Sequence, residues 1–153
     1  MNTEKLEFLA VTFPSMVAKL NADTMGKWGV MNAQQMVEHM SDSIRIANGT
    51  VLMQIVTPSE NLDKVKAFMM SDKPFRENTK NALLPDTALP ITNPNMELAI
   101  EELKGEIKHF KEVFKNDPEK IITNPFFGNL NFDEWLHLLH KHAMHHARQF
   151  SLI

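Results

Sequence analysis

The chain contains no cysteine. Structural disulfides and thiolate-held metal sites are therefore excluded, and strong metal ligands can come only from histidine, aspartate or glutamate. A basic excess is missing as well: 16 Lys and Arg face 19 Asp and Glu, giving a formal charge of −3 and a pI near 6.1. Neutralising a phosphate backbone takes clustered cations, so nucleic acid is not an expected partner. No run approaches the roughly 18 apolar residues a membrane helix needs. Glu7 breaks up the apolar positions of the N-terminus, and no small-residue cleavage site follows, so the start does not read as a signal peptide. The expected setting is cytoplasmic, without a membrane partner. Internal repeats and low-complexity tracts are also absent. A chain of 153 residues then suits a single domain over 1–153 with one core, burying roughly 68–70% of its unfolded surface.

What the chain does have is histidine, concentrated in one place. Five of its 7 histidines lie between Trp135 and Phe150. At about 100° per residue in a helix, Trp135, Leu136, Leu139, Ala143 and Phe150 share one side, and His142 and His146 fall among them. His137 and His140 point away and read as surface; His145 lies at the margin. Two imidazoles one turn apart on a buried face are either hydrogen-bonded in the core or offered to a metal.

Residues 3–20 carry helical spacing interrupted by Pro14, which predicts a kink or two short helices, the second starting near Thr12. The loop 21–31 holds Gly26-Lys27-Trp28-Gly29, where Trp28 reads as an anchor packing the loop on the helices, or as part of a ligand pocket. A second helix over about 32–48 is announced by Asn32 and Gln35 as a capping box and by Gly49 as a stop. Its core stripe is Ala33, Met36, Val37, Met40, Ile44 and Ala47, and His39 sits at the flank of that stripe. Residues 50–94 form a long connection. It opens with the apolar run 51–56, expected to pack extended or helical against the rest, and includes a short helix after Pro58.

Asn93-Pro94 predicts the start of a third helix. Met96, Ile100, Leu103, Ile107, Phe110 and Phe114 make its seam, and Glu and Lys fill the solvated side, with His109 exposed and inert among them. In the loop 121–130, one of Phe126 and Phe127 is expected in the core and the other over the end of the helices. Asn131 and Glu134 form another capping box, opening the histidine-rich helix. Four long amphipathic segments, no strand pair and a long crossover read as an all-α four-helix bundle.

Trp28-Gly29, the run Ala33-Gln34-Gln35-Met36-Val37-Glu38-His39-Met40, the segment Asn124-Pro125-Phe126-Phe127-Gly128-Asn129-Leu130 and the stretch from Trp135 to Phe150 together resemble the DinB-like superfamily. They are similar in particular to a branch carried as a domain of unknown function, with HPFFG and KHxxHHxRQF signatures. The match spans most of the chain, with its specific residues in the second helix and the last thirty or so positions. The resemblance implies helices in up-down-down-up order, with the crossover between helices 2 and 3. It also implies a divalent metal, whether zinc, nickel, iron or manganese, held by His39, His142 and His146. Two departures stand out. Ala147 and Arg148 replace the Arg-x that commonly follows the last ligand, leaving Gln149 in its place behind the metal or against a substrate. Asn124 stands where the branch has histidine.

Characterised relatives of this kind include thiol transferases. The resemblance thus implies a metal-dependent S-transferase joining a low-molecular-weight thiol to a small electrophile, with Gln149 or Glu38 orienting a group and no identifiable general base. A homodimer is a further expectation. The competing reading is a non-catalytic bundle with a stress-related role, in which a metal merely braces two helices or the histidines stay metal-free in the core. Direct DNA contact, suggested only by the superfamily's name, runs against the mild acidity.

Overall fold

The computed structural model describes residues 2–153. Its helices are α1 (3–17), α2 (Ala33–Ala47), α3 (Ser59–Met70), α4 (Met96–Asn116) and α5 (Phe132–Gln149). Between α4 and α5 lies one antiparallel hairpin of β1 (Ile122–Asn124) and β2 (Gly128–Leu130). The fold is mostly helical, in keeping with an all-α class at that level. The hairpin corrects the expectation that no strands pair. It is a local pairing in the register Ile122↔Leu130, Thr123↔Asn129 and Asn124↔Gly128. Asn124 Oδ1 accepts from the backbone N–H of Phe126 at 2.8 Å and of Phe127 at 3.0 Å, which turns the chain between the strands. Asn124 is thus committed to shaping the turn.

As expected for a second start near Thr12, α1 comprises two short α-helical stretches, Thr3–Glu7 and Phe13–Val17, with Pro14 in the second. Residues Phe8–Thr12 form a π-helical turn in which the Phe13 N–H reaches back to the Phe8 carbonyl, and α-helix resumes over Phe13–Val17 with Pro14 in its first turn. The extra residue in that turn absorbs the bond proline cannot make. Leu9, Phe13, Pro14 and Val17 are buried by this segment, which packs on α4 and α5.

In α2 the capping box is complete: Asn32 Oδ1 accepts from Gln35 N–H, and Gln35 Oε1 accepts from Asn32 N–H, both at 2.9 Å. Every residue of its expected core stripe is fully buried. α2 lies along α4 and also meets α5. The cap of α4 falls two residues later than expected, on Asn95, whose Oδ1 accepts from Leu98 N–H at 2.9 Å. Asn93 is occupied elsewhere, by Glu38. Arg45 on α2 ties the two helices further through Glu102 and Glu106.

The crossover 48–95 is held at few points. Pro58 takes the N-cap position of α3, and the Thr57 hydroxyl before it donates to the Phe126 carbonyl at 2.7 Å. The run 51–56 is neither helix nor strand, and it stands open to solvent rather than packed against the rest as expected: Leu52 is 86% exposed. Lys141 is buried on α5, and its ammonium donates to the carbonyls of Phe68, Met69 and Ser71 at 2.9, 3.2 and 3.0 Å. A cation at the C-terminal end of α3 meets both its unsatisfied carbonyls and its dipole. Nothing in the residue pattern marked Lys141 for that task.

Candidate metal centre

His39 comes from the middle of α2 and His142 and His146 from successive turns of α5. His142 Nε2 lies 3.0 Å from His39 Nε2 and 2.9 Å from His146 Nε2. Among the described residues these are the three side chains whose ligand atoms all lie within 4.8 Å of one another. An ion with metal–nitrogen bonds of about 2.0–2.1 Å separates its ligand nitrogens by roughly 2.9 Å at right angles and roughly 3.3 Å at the tetrahedral angle. The observed spacings sit at the short end of that range.

Protonation states follow from the neighbours. Gln149 Nε2 donates to the Trp28 carbonyl at 2.9 Å, which orients the amide so that Oε1 faces His146 Nδ1 at 2.6 Å. An amide oxygen only accepts, so His146 carries its proton on Nδ1 and presents a lone pair at Nε2. A proton on His142 Nε2 could form one linear bond, to His146 or to His39, but not both. A cation between the three nitrogens satisfies all of them, so the donor set fits a divalent metal.

Burial strengthens the case. It depresses His39 to a pKa of about 4, with the nearby charge of His145 adding to the effect. Burial also holds His142 and His146 well below the ordinary imidazole value, reinforced by the imidazoles around them. All three are neutral at pH 7, the form that binds metal.

Gln149 is gripped from three directions. Besides its two side-chain bonds, its backbone carbonyl accepts from the Lys27 N–H at 2.7 Å. The loop can come this close because of its glycines. A Cβ on Gly26 would stand 2.8 Å from Gln149 Cγ, and one on Gly29, whose φ is +80°, 2.9 Å from Gln149 Nε2. The Trp28 backbone carbonyl fixes the loop to Gln149, while its ring lines the cavity rather than packing the loop down, edge-on to His145 at a centroid distance of 5.6 Å.

The triad lines a cavity of about 630 Å³, together with Gln149, Trp28, Phe126, Phe127 and part of the crossover between Phe75 and Asp86. Neither Phe126 nor Phe127 is fully buried: both are half-exposed to this space rather than divided between core and helix end.

Three expectations are corrected. Glu38 does not orient anything at the centre. Its buried carboxylate accepts from Gln34, from the N–H and hydroxyl of Thr92, and from the N–H and side-chain amide of Asn93. His137 is not a free surface group: Lys5 Nζ lies 2.7 Å from its Nδ1 and the Ser71 carbonyl 3.2 Å from its Nε2. His140 is half-buried edge-on to Phe8 at 5.0 Å. The projection misplaced both because α5 is covered on more than one side, by α1 and by the crossover. His109 is exposed, as expected. His145 stands outside the triad, its ring 5.2 Å from that of His146.

Among the described residues no helix is long and apolar enough to cross a membrane. Over residues 14–150 the chain matches a family model described as the DinB superfamily. No curated protein and no solved structure shows a significant match.

Proposed function

The chain belongs to the DinB superfamily, and from that premise we propose that His39, His142 and His146 hold one divalent ion in a metal-dependent enzyme that transfers small electrophiles to a low-molecular-weight thiol. The observation that carries this reading is the meeting of three Nε2 atoms at a cavity wall, with the proton of His146 held on the far side of its ring by Gln149. Three neutral imidazoles would leave the charge of a bound ion uncompensated, a donor set of catalytic rather than structural sites. A divalent ion held by them would supply Lewis acidity and so lower the pKa of a thiol. In the transfer, a carbon–sulfur bond forms, the bond from that carbon to its leaving group breaks, and the thiol proton passes to water.

The protein's own part is to hold and shield. Gln149 keeps the His146 lone pair aimed inward, while Trp28 and Phe127 bring apolar surface to the space where a substrate would lie. In this reading the four long helices α1, α2, α4 and α5 run up, down, down, up, and the crossover with α3 returns the chain to the start of α4. A homodimer and a cytoplasmic setting belong to the same proposal.

Metal-loaded protein is expected to accelerate the loss of free thiol in the presence of an alkylating electrophile, followed with a thiol-reactive dye, and chelated protein is not. An ion that raises the melting temperature while no thiol–electrophile pair turns over would favour the bracing role, since the triad joins α2 to α5.

Gln149→Leu removes the acceptor for His146 and the donor to Trp28 while keeping the volume similar. Loss of such a partner behind a ligand costs about 10–100-fold in metal affinity. A competition titration against a chromophoric chelator reads this directly, and an unchanged affinity would show that Gln149 plays no part in setting the ligand.

A further inference from the structure

The cavity beside the triad carries a pattern that the imidazoles do not explain. Trp28, Phe75, Phe126 and Phe127 bring aromatic surface to it from three separate segments. Phe75 stacks on Phe127 at 6.4 Å and meets His145 edge-on at 6.2 Å. It is also held from behind, because the buried ammonium of Lys141 lies 5.2 Å from its ring while capping α3. Phe75 thus meets Phe127, His145 and Lys141, and is one of the points at which the crossover is held.

Among the described residues the one acid in the lining of the same cavity is Asp86, whose carboxylate pairs with Lys80 at 2.8 Å, while Glu77 acts on the lining His145 from nearby. Arg76, next in sequence to Phe75, also lines the cavity, is exposed, and makes no ion pair among the described residues. A space of about 630 Å³ is in the usual range for small-molecule sites. Aromatic walls favour an apolar body, and a free guanidinium at the edge favours a carboxylate, which it can meet with two parallel bonds.

We propose that the cavity takes an aromatic carboxylate, its ring against Trp28, Phe75 and Phe127 and its carboxylate on Arg76. In the thiol-transfer reading this is the electrophile, and the inference rests on that reading only in turning the reactive end of the ligand toward the triad. The wall and the guanidinium need no metal to act.

Both tryptophans of the chain line the cavity, so their indole N–H signals in a 15N-correlated spectrum report on its occupancy. Titration with 3-phenylpropanoate is expected to shift the Trp28 signal saturably, in chelated protein as well as in metal-loaded protein. In the chelated protein the acid binds about five- to tenfold tighter than 3-phenylpropan-1-ol, the neutral analogue. Arg76→Gln brings the acid down to the affinity of the alcohol, and Phe75→Ala weakens both. Equal affinity for acid and alcohol overturns the proposal, as does an acid preference that survives Arg76→Gln, or no shift with either probe. Because the comparison is made without metal, a chain that takes up no ion sinks the metal reading alone. A chain that takes up metal but fails here sinks only the substrate class.

Discussion

The His142→Ala protein is expected to hold no stoichiometric metal when purified without chelators, where the parent chain carries about one divalent ion, by elemental analysis. His142 is the residue to remove because its Nε2 is the one within 3.0 Å of both other ring nitrogens. Taking away a ligand costs more than the roughly 10–100-fold assigned to a partner behind one. The companion His39→Ala protein is expected to behave alike, since two imidazoles from α5 alone would leave the site with half of a usual tetrahedral set. Parent protein without stoichiometric metal, or variants that keep it, would falsify the assignment.

Stability separates loss of the ion from loss of the fold. Metal binding to the folded state alone stabilises by about 2.7 kcal/mol when the free ion is at a hundred times its Kd. The parent should gain that on adding metal, seen as a higher midpoint of thermal unfolding, and His142→Ala should gain nothing. Acid gives a second distinction in metal-free protein. The folded state holds His39 at about 4 against an ordinary 6.5, and burial depresses His142 as well. An unfolded chain therefore takes up protons that the folded chain refuses, so stability is full above pH 6.5 and declines as pH falls toward 4. Without His142 one such imidazole is gone, and the decline should be shallower.

Glu38→Ala is expected to destabilise the protein by about 3 kcal/mol in chemical denaturation, leaving metal stoichiometry at any pH where the chain is folded. Its carboxylate accepts five bonds, and four of the donors belong to Thr92 and Asn93. Deleting the acceptor strands buried donors, each at about 1–3 kcal/mol, though some of these regain water because the 92–93 segment lies near the surface. Glu38→Gln should lose less, since its oxygen still accepts while its amide hydrogens face other donors. Burial pushes the Glu38 pKa up, but the bonds from Thr92, Gln34 and Asn93 outweigh it and hold the group below its ordinary 4.5. The stability it confers is present above pH 4.5 and is lost as pH falls through the lower folded-state value. A Glu38→Ala protein as stable as the parent would mean that the crossover is not secured at this point.

How much of this was readable beforehand depended on whether the cause was local. The capping boxes at Asn32 and Asn131 join residues three positions apart, and both appear as expected. The seam of α4 and the stripe of α2 repeat at helical spacing and are buried as projected, with Met96 only partly so. Misreadings came where a distant segment competes for a group. Asn93 looked like a cap, but Glu38 claims it; His137 and His140 looked free, but Lys5, Ser71 and Phe8 cover them. Lys141 lies between histidines on α5, and nothing within a helical turn of it reveals the end of α3 that it caps.

By itself the sequence determined a largely helical chain without disulfides, whose strong metal ligands had to be histidine or carboxylate, and it put His142 and His146 on the apolar side of the last helix. Periodicity and side-chain chemistry suffice for that, because both act within a few residues. Only the tertiary structure decided that His39 stands 3.0 Å from His142 across 103 positions of chain, that Gln149 sets the proton of His146, and that Phe75 and Arg76 wall the same space. Those relations depend on how α2, α5 and the crossover pack, and packing is settled by the whole set of buried contacts rather than by any one stretch.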